Sequence, residues 1–440
     1  MIALAAAAAL VLTDARFTGT ASARVESRAR TATGADSTSA QGAGAASDAE
    51  VTPSLFGAVD NLGGRIALSY SPTIRMREYY SNESYQVGDQ QYGYRRTEVN
   101  HSQSFEARWS REGRPSPYLL ENLYIGRVDL AAGRSTGDVT AVPPPPTGGD
   151  STVPGGVNAV GFTTGQIYQT SLDFNGGVLW PLNRVMQLDT SVGYNYSSGL
   201  DQGARLVLPT QQSYRTQARL DYQLTPVDML ITQVDGRHSN FPGEQAMFTI
   251  ANAAQRWRRQ IIASTALELG LLVGAFYSSY LQPAPEGAVD QTPTRVQGTT
   301  FAPGGDAVIR HRTGSARHVV NLDTGVRVAP FIDRYVVAAF NRGELFTTLA
   351  YTFRERWIVS TRASAAMSLS PVAVRGVQST ANGGLPDIVT FAIDARAGYQ
   401  APRYWRLEAY GLDSLYMIDG GVVHNWIVGL ALTLRVEGQT

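Results

Sequence analysis

Residues 213–224 read Ser-Tyr-Arg-Thr-Gln-Ala-Arg-Leu-Asp-Tyr-Gln-Leu. The even positions are Tyr214, Thr216, Ala218, Leu220, Tyr222 and Leu224; the odd ones are Ser213, Arg215, Gln217, Arg219, Asp221 and Gln223. Successive side chains of a strand point to opposite faces, so one face here is apolar with aromatic ends and the other is polar and charged. A helix would mix the two sets. The same alternation recurs from about residue 64 to residue 436, and the recurrence decides the fold class.

Composition narrows what such a chain does. Formal net charge is zero, so no global field points to nucleic acid. All 37 basic residues are Arg, and Cys is absent, which excludes disulfides and thiolate metal sites. Charged residues make up 17%, where about a quarter is usual for a soluble protein. No internal stretch approaches the roughly 18 apolar residues that a spanning helix needs. A membrane protein without spanning helices must be a closed barrel, since only closure satisfies every backbone group in lipid.

At the N-terminus, Ile2–Leu12 reads as the apolar core of a secretory signal, with a small-x-small cleavage site at Ala21-Ser22-Ala23. No basic residue precedes that core. The expected division is a signal peptide over 1–23, a flexible periplasmic tail over 24–58 and a barrel over 59–440. The tail reading rests on a composition of Ala, Ser, Thr and Gly with too little apolar surface to fold.

The expected strands begin with Gly64–Arg77, where Pro72 suggests a bulge, and a strand ending at Phe105–Trp109. There follow Tyr118–Leu130, Gln166–Trp180, Val185–Ser197, Ser213–Leu224, Met229–Ser239, Arg256–Glu268 and Leu271–Leu281. The series ends with Val319–Val328, Tyr335–Phe340, Leu345–Phe353, Trp357–Met367, Val389–Tyr399, Trp405–Leu412 and Val422–Val436. That is about sixteen strands, within a range of fourteen to eighteen. Short links are expected at 112–117, 181–184, 225–228, 269–270, 329–334, 354–356 and 400–404. Long Pro- and Gly-rich loops are expected above all at 131–165 and 282–305. Trp109, Trp180, Trp357 and Trp405 lie beside short links; Trp257 and Trp426, with Tyr194 and Tyr196, lie toward the long ones, as two interfacial girdles require.

The fold class is therefore all-β, a transmembrane antiparallel up-and-down barrel, and in this the sequence resembles the porin-like outer-membrane β-barrel proteins of bacteria. The resemblance is architectural and brings no functional residues with it. It implies the outer membrane, with both termini in the periplasm. It implies outer-membrane lipid, lipopolysaccharide and the barrel-assembly machinery as partners, with periplasmic export partners if the barrel secretes a polymer.

The polar faces line the interior. The expected lumen residues are Arg65, Arg75, Arg108, Arg127, Asp173, Asp189, Arg215, Arg219, Asp221, Asp235, Arg237, Arg327 and Arg396. Their signs nearly balance, so they brace the wall by pairing across strands or set a field for polar solutes. Loop 131–165 is the candidate plug. No catalytic residue, cofactor or metal site is expected. His101-Ser102 and His238-Ser239 put neighbouring side chains on opposite strand faces, so they form no Ser–His pair. Asp221 and Asp235 suit bracing better than acid–base work. Three functions remain: a diffusion channel for polar or charged solutes, a conduit for polysaccharide export, and a non-conducting surface-binding barrel.

Overall fold

The computed structural model describes residues 14–33, 42–61, 64–79, 84–87, 90–93, 97–109, 113–129, 134–135, 166–200, 204–205, 208–282, 294–315, 317–333, 337–369, 388–401, 405–418 and 421–439. One sheet of nineteen strands accounts for nearly all of it. One of the nineteen is the two-residue piece Arg134–Ser135, paired with Val128–Asp129. The other eighteen form the wall. They are β1 Asp14–Thr33, β2 Gly42–Asn61, β3 Gly64–Tyr79, β4 Thr97–Trp109, β5 Ser116–Asp129 and β6 Gln166–Pro181. Next come β7 Met186–Gly199, β8 Gln211–Gln223, β9 Asp228–Phe241, β10 Ala246–Ile262, β11 Thr265–Gln282 and β12 Thr294–Gly314. The last are β13 His318–Asp333, β14 Ala338–Phe353, β15 Trp357–Ser368, β16 Ile388–Gln400, β17 Trp405–Ile418 and β18 Gly421–Gln439.

Each strand pairs antiparallel with its sequence neighbour, and β18 pairs with β1 to close the ring, as in Ala21↔Leu434. Closure leaves no sheet edge within the membrane. All links at one end of the barrel are short, never longer than the six residues 110–115. The other end carries the longer links 34–41, 80–96, 130–165, 200–210, 283–293 and 369–387, with short ones at 242–245, 334–337 and 419–420. β1 begins and β18 ends at the short-link end.

Following the ladders round the ring gives one consistent parity, and exposure says which face is which. Leu407 is 47% exposed while its neighbour Glu408 is 8% exposed. Leu271, Val273, Leu345, Val428 and Leu430 are exposed on the same face, where Glu268, Asp306 and Ser414 are buried on the other. Apolar side chains out and carboxylates in is the reverse of a soluble protein and suits a wall between lipid and an aqueous interior.

The eighteen strands differ from the expected sixteen in four places. Residues 24–58 are not a flexible tail: β1 and β2 occupy 14–33 and 42–61. Their outer face is Phe17, Ala21, Ala23, Val25, Val51 and Leu55, their inner face Arg24, Thr20, Ser22, Glu50 and Thr52. The alternation is there, but two of these six outer residues are Ala and the polar face is mostly small Ser and Thr, so the signal is weak. The cleavage expected after Ala23 falls in the middle of β1; residues 1–13, with the whole of the expected apolar core Ile2–Leu12, lie outside the described residues.

Residues 294–305 are not loop but the first half of β12. Pro303 is tolerated because its carbonyl accepts from Asn341 Nδ2 at 3.0 Å instead of joining the ladder, so its missing N–H also faces a side without a partner strand. Leu269-Gly270 is not a turn but lies within β11. Residues 329–333 are not a turn but the end of β13, and Leu345–Phe353 is part of one strand with Ala338–Phe340, not of a hairpin with it. Because β10 runs from Ala246 to Ile262, Trp257 lies near the short-link end, where its indole N–H donates to Asp228 Oδ1 at 3.1 Å. It thus joins the girdle of Trp109, Trp180, Trp357 and Trp405, where Tyr399 packs between Trp357 and Trp405 at 5.0 and 5.5 Å. Tyr194 and Tyr214, 5.2 Å apart, stand toward the other end.

Candidate functional site: the inner face of the barrel

The inner face is a mesh of side chains that meet across one or two strands. Arg256 of β10 reaches Asp306 of β12 at 2.9 Å and Gln233 of β9 at 2.9 Å. Arg258 and Arg310 converge on Glu268 at 2.8 and 3.3 Å. Arg312 meets Asp323 at 2.7 Å. On the far wall Arg396 lies between Asp394 and Glu408, at 3.3 and 3.7 Å, and Arg406 also pairs with Glu408. Tyr118 donates to Asp189 at 3.0 Å. Positive and negative groups are interleaved, so the charges largely satisfy each other and leave a polar surface with little net field.

Glycines create the room for this. Gly270 lies between Arg256 and Asp306 in one row, and a Cβ there would come within 2.4 Å of Asp306 Oδ1 and 2.8 Å of Arg256 Cγ. At Gly177 a Cβ would meet the Tyr118 ring at 2.6 Å, which is the ring's path over β6 to Asp189. Gly270 reads as turn chemistry in the sequence, yet it is the gap over which an ion pair closes.

The expected lumen residues can now be placed. The ladders put Arg65 beside Arg108, Arg75 beside Glu98, Asp173 beside Asn195, Asp189 beside Arg219, Arg215 beside Arg237 and Asp235 beside Asn252, all with inner parity. Arg327 lies between Asp306 and Glu344, and Arg396 opposite Tyr410. Asp221 takes both guanidinium contacts of Arg219, at 2.7 and 3.0 Å. Arg215 donates to Gln217 at 2.8 Å, and Asp235 accepts from Gln233 and Asn252 at 3.1 Å each. Arg127 stands opposite Tyr168 in the β5–β6 ladder, and its side chain lies outside what is described. Arg256, Arg258, Arg310 and Arg312, the densest part of the mesh, are absent from the expected set because the expected strand Arg256–Glu268 runs across the turn at 263–264 and no strand is expected over 306–314; parity on the observed β10 and β12 identifies them.

The interior is not a plain tube. The β12–β13 ladder stops at Gly305↔Val328, while β11–β12 pairing continues to Thr294 and β13–β14 pairing continues to Asp333. Beyond that row the two hairpins part. Ile332 and Ala339, of outer parity, pack with Val337 onto the inner-face residues Phe241, Phe248, Ile250, Phe276 and Ala302. A Cβ on Gly274 of the inner face would lie 2.9 Å from Pro330 Cγ. The end of β13–β14 therefore sits inside the barrel as a second layer. Stacked sheets lie about 10 Å apart, so this layer narrows the lumen by roughly that depth at the long-link end. Arg342 lies on the layer's other side, 4.7 Å from the Phe331 ring. The expected plug, loop 131–165, lies outside the described residues apart from Arg134–Ser135.

All five histidines have outer parity, and each is held by a neighbour: His101 by Tyr70, His238 by Thr249, His311 by Thr265, His318 by Tyr351 and His424 by Asp413, at 2.5 to 2.9 Å. None shares the face that bears the carboxylate mesh. Among the described residues no group of three or more His, Asp or Glu is placed to hold a metal ion.

Solved structures similar to this chain include OccK2 (OpdF) of Pseudomonas aeruginosa, 13% identical, covering 98% of this chain and 100% of that one with a TM-score of 0.43. OpdK of Pseudomonas aeruginosa with vanillate is 11% identical, over 96% of this chain and 99% of that one, with a TM-score of 0.43. The copper transporter OprC is 11% identical, over 90% of this chain and 61% of that one, with a TM-score of 0.46. No curated protein matches the sequence. The profile that does match, over residues 9–402, spans most of the wall from β1 to β16, and by it this β-barrel belongs to the EpsX exopolysaccharide export family.

Proposed function

We propose that the chain is the outer-membrane conduit through which an exopolysaccharide leaves the cell. The family match over residues 9–402 carries this reading. The inner face supports it. A sugar polymer needs many weak donors and acceptors and no strong trap, and a mesh of mutually satisfied Arg, Asp and Glu offers that. Eighteen strands at about 4.8 Å spacing and a tilt near 40° enclose a ring roughly 35 Å across between backbones, wide enough for the inner layer and a passage beside it. The short links and both termini face the periplasm, where export partners hand over the polymer, and the long links face outward. Lipopolysaccharide and lipid surround the apolar wall, and the barrel-assembly machinery inserts it.

Deleting the gene tests this. The expected result is loss of surface polysaccharide with polymer retained in the periplasm, restored by the full chain. Unchanged surface polysaccharide overturns the reading. Steady conductance of small ions by the purified barrel in planar bilayers, with unchanged surface polymer in the deletion, would identify a diffusion channel for polar solutes instead.

A further inference from the structure

The outer wall is mostly apolar along its strands, and its polar side chains include Asp413, held by His424, and a group on β4 and β5. Glu121 of β5 has outer parity, between Phe105 of β4 and Phe174 of β6. It makes no hydrogen bond or ion pair among the described residues. Its neighbour Tyr118 shares a row with Arg108, next to Trp109 of the girdle. At about 3.3 Å per residue and a tilt near 40°, Glu121 therefore lies roughly 10 Å inside that girdle, within an apolar band about 25 Å tall. A carboxylate there faces lipid tails that supply no donor, the situation that marks a functional site in a membrane protein.

The surroundings say what covers it. Gln103 of β4, also of outer parity and without a partner among the described residues, lies on the diagonal from Glu121, in the row of Leu123. His101 follows in the row of Ile125, its Nδ1 bonded to Tyr70 Oη at 2.9 Å and its Nε2 left over. One patch thus carries a carboxylate acceptor, an amide donor and an imidazole nitrogen, which donates when Tyr70 gives its hydrogen to Nδ1, framed by Leu119, Leu123, Ile125, Phe105 and Phe174. Such a patch is self-complementary. A protein of unrelated sequence would need to match both signs; a second copy does so by symmetry. We infer that the β4–β6 outer face is the contact between two copies of this chain in the membrane, with Glu121 of one copy accepting from Gln103 and His101 of the other.

The chain has no Cys, so single cysteines report contacts cleanly. Leu123→Cys is placed in the patch, and Leu349→Cys on the outer face of β14, nine strands away round the ring of eighteen. Both full-length variants are oxidised in outer membranes, and heat-shifted gel mobility confirms that each barrel is closed. Leu123→Cys is expected to give a cross-linked species of twice the 47.4 kDa chain mass, and Leu349→Cys to stay single. Adding Glu121→Ala to Leu123→Cys is expected to lower the cross-linked fraction at least fivefold with the barrel still closed. The inference is overturned by a single-chain band from Leu123→Cys, by a cross-link to a different protein, by equal cross-linking at Leu349→Cys, or by a yield that Glu121→Ala leaves unchanged.

Discussion

β8 and β12 are both staves of one wall, yet one is plain in the sequence and the other is hidden. β8 keeps a ladder with β7 and β9 along nearly its whole length. Lipid lies on one side of it and the lumen on the other, so every second residue is apolar. β12 has β11 beside it from Thr294 to His311, but β13 only from Gly305 onward. Its first half faces a folded-in hairpin on one side and the outside on the other, and there Gly298, Pro303 and Gly304-Gly305 replace the alternation. Alternation thus records two-sided placement in a membrane, not strand formation as such. A strand that leaves the wall loses the pattern while keeping its hydrogen bonds.

β1 is the severest test of that distinction, since it is a full wall strand with only a faint pattern. A chain beginning at Arg24 lacks half of β1 and leaves the ends of β2 and β18 nearest the short links unpaired in lipid, each group costing several kcal/mol. The expected outcome is complete loss of the closed, heat-modifiable band, and an intact mass for the mature protein that includes Asp14–Ala23. A mature protein that starts at Arg24 and still forms a closed barrel would show that β1 is dispensable.

Next in size is charge on the outer face. Leu220→Arg in β8 is expected to cost about 2–4 kcal/mol, as for a cation at the midplane of a barrel. Thr299→Arg, of outer parity in the first half of β12, is expected to cost less than about 0.5 kcal/mol, as at exposed surface sites. Thr299 lies fifteen residues from the end of the strand, beyond the roughly 25 Å apolar band. Reversible urea unfolding in lipid measures both. Equal penalties would place the first half of β12 in the bilayer as β8 is.

The same contrast explains how much was legible in the sequence. Barrel class, closure, link alternation and most inner-face charges follow from period two, because lipid imposes that period on every strand it touches. What escaped has physical causes. β1 and β2 dilute an outer face of Phe17, Val25, Val51 and Leu55 with Ala and Gly, which hold a ladder but give little hydrophobic signal. Gly270 resembles a turn because a Gly that admits the Arg256–Asp306 ion pair looks the same in sequence as one that bends the chain. The inner layer at Pro330–Ile332 and Val337–Asn341 is apolar on both sides, as a doubly buried strand must be, and nothing local says what it packs against. Glu121, at an outer-parity position of β5, shows that polarity and face can part company.

The smallest effects separate the two halves of β12 within a single strand. A Cβ on Gly304 would lie 2.1 Å from the Val328 carbonyl oxygen, at the row where the β13–β14 hairpin turns inward. Gly304→Ala must push that hairpin off the inner wall, and an overpacked site costs about 1–3 kcal/mol. Gly298 has no atom within 4 Å of such a Cβ. Its φ is not in the left-handed region, so Gly298→Ala is expected to be neutral or to stabilise by about 0.4–1 kcal/mol through the unfolded chain. If the folded-in layer is what fixes Gly304, the Gly304→Ala barrel stays closed on gels while its conductance rises as the layer loosens, and Gly298→Ala leaves conductance alone. A closed barrel with unchanged conductance in both would mean that the β13–β14 end does not set the width of the passage.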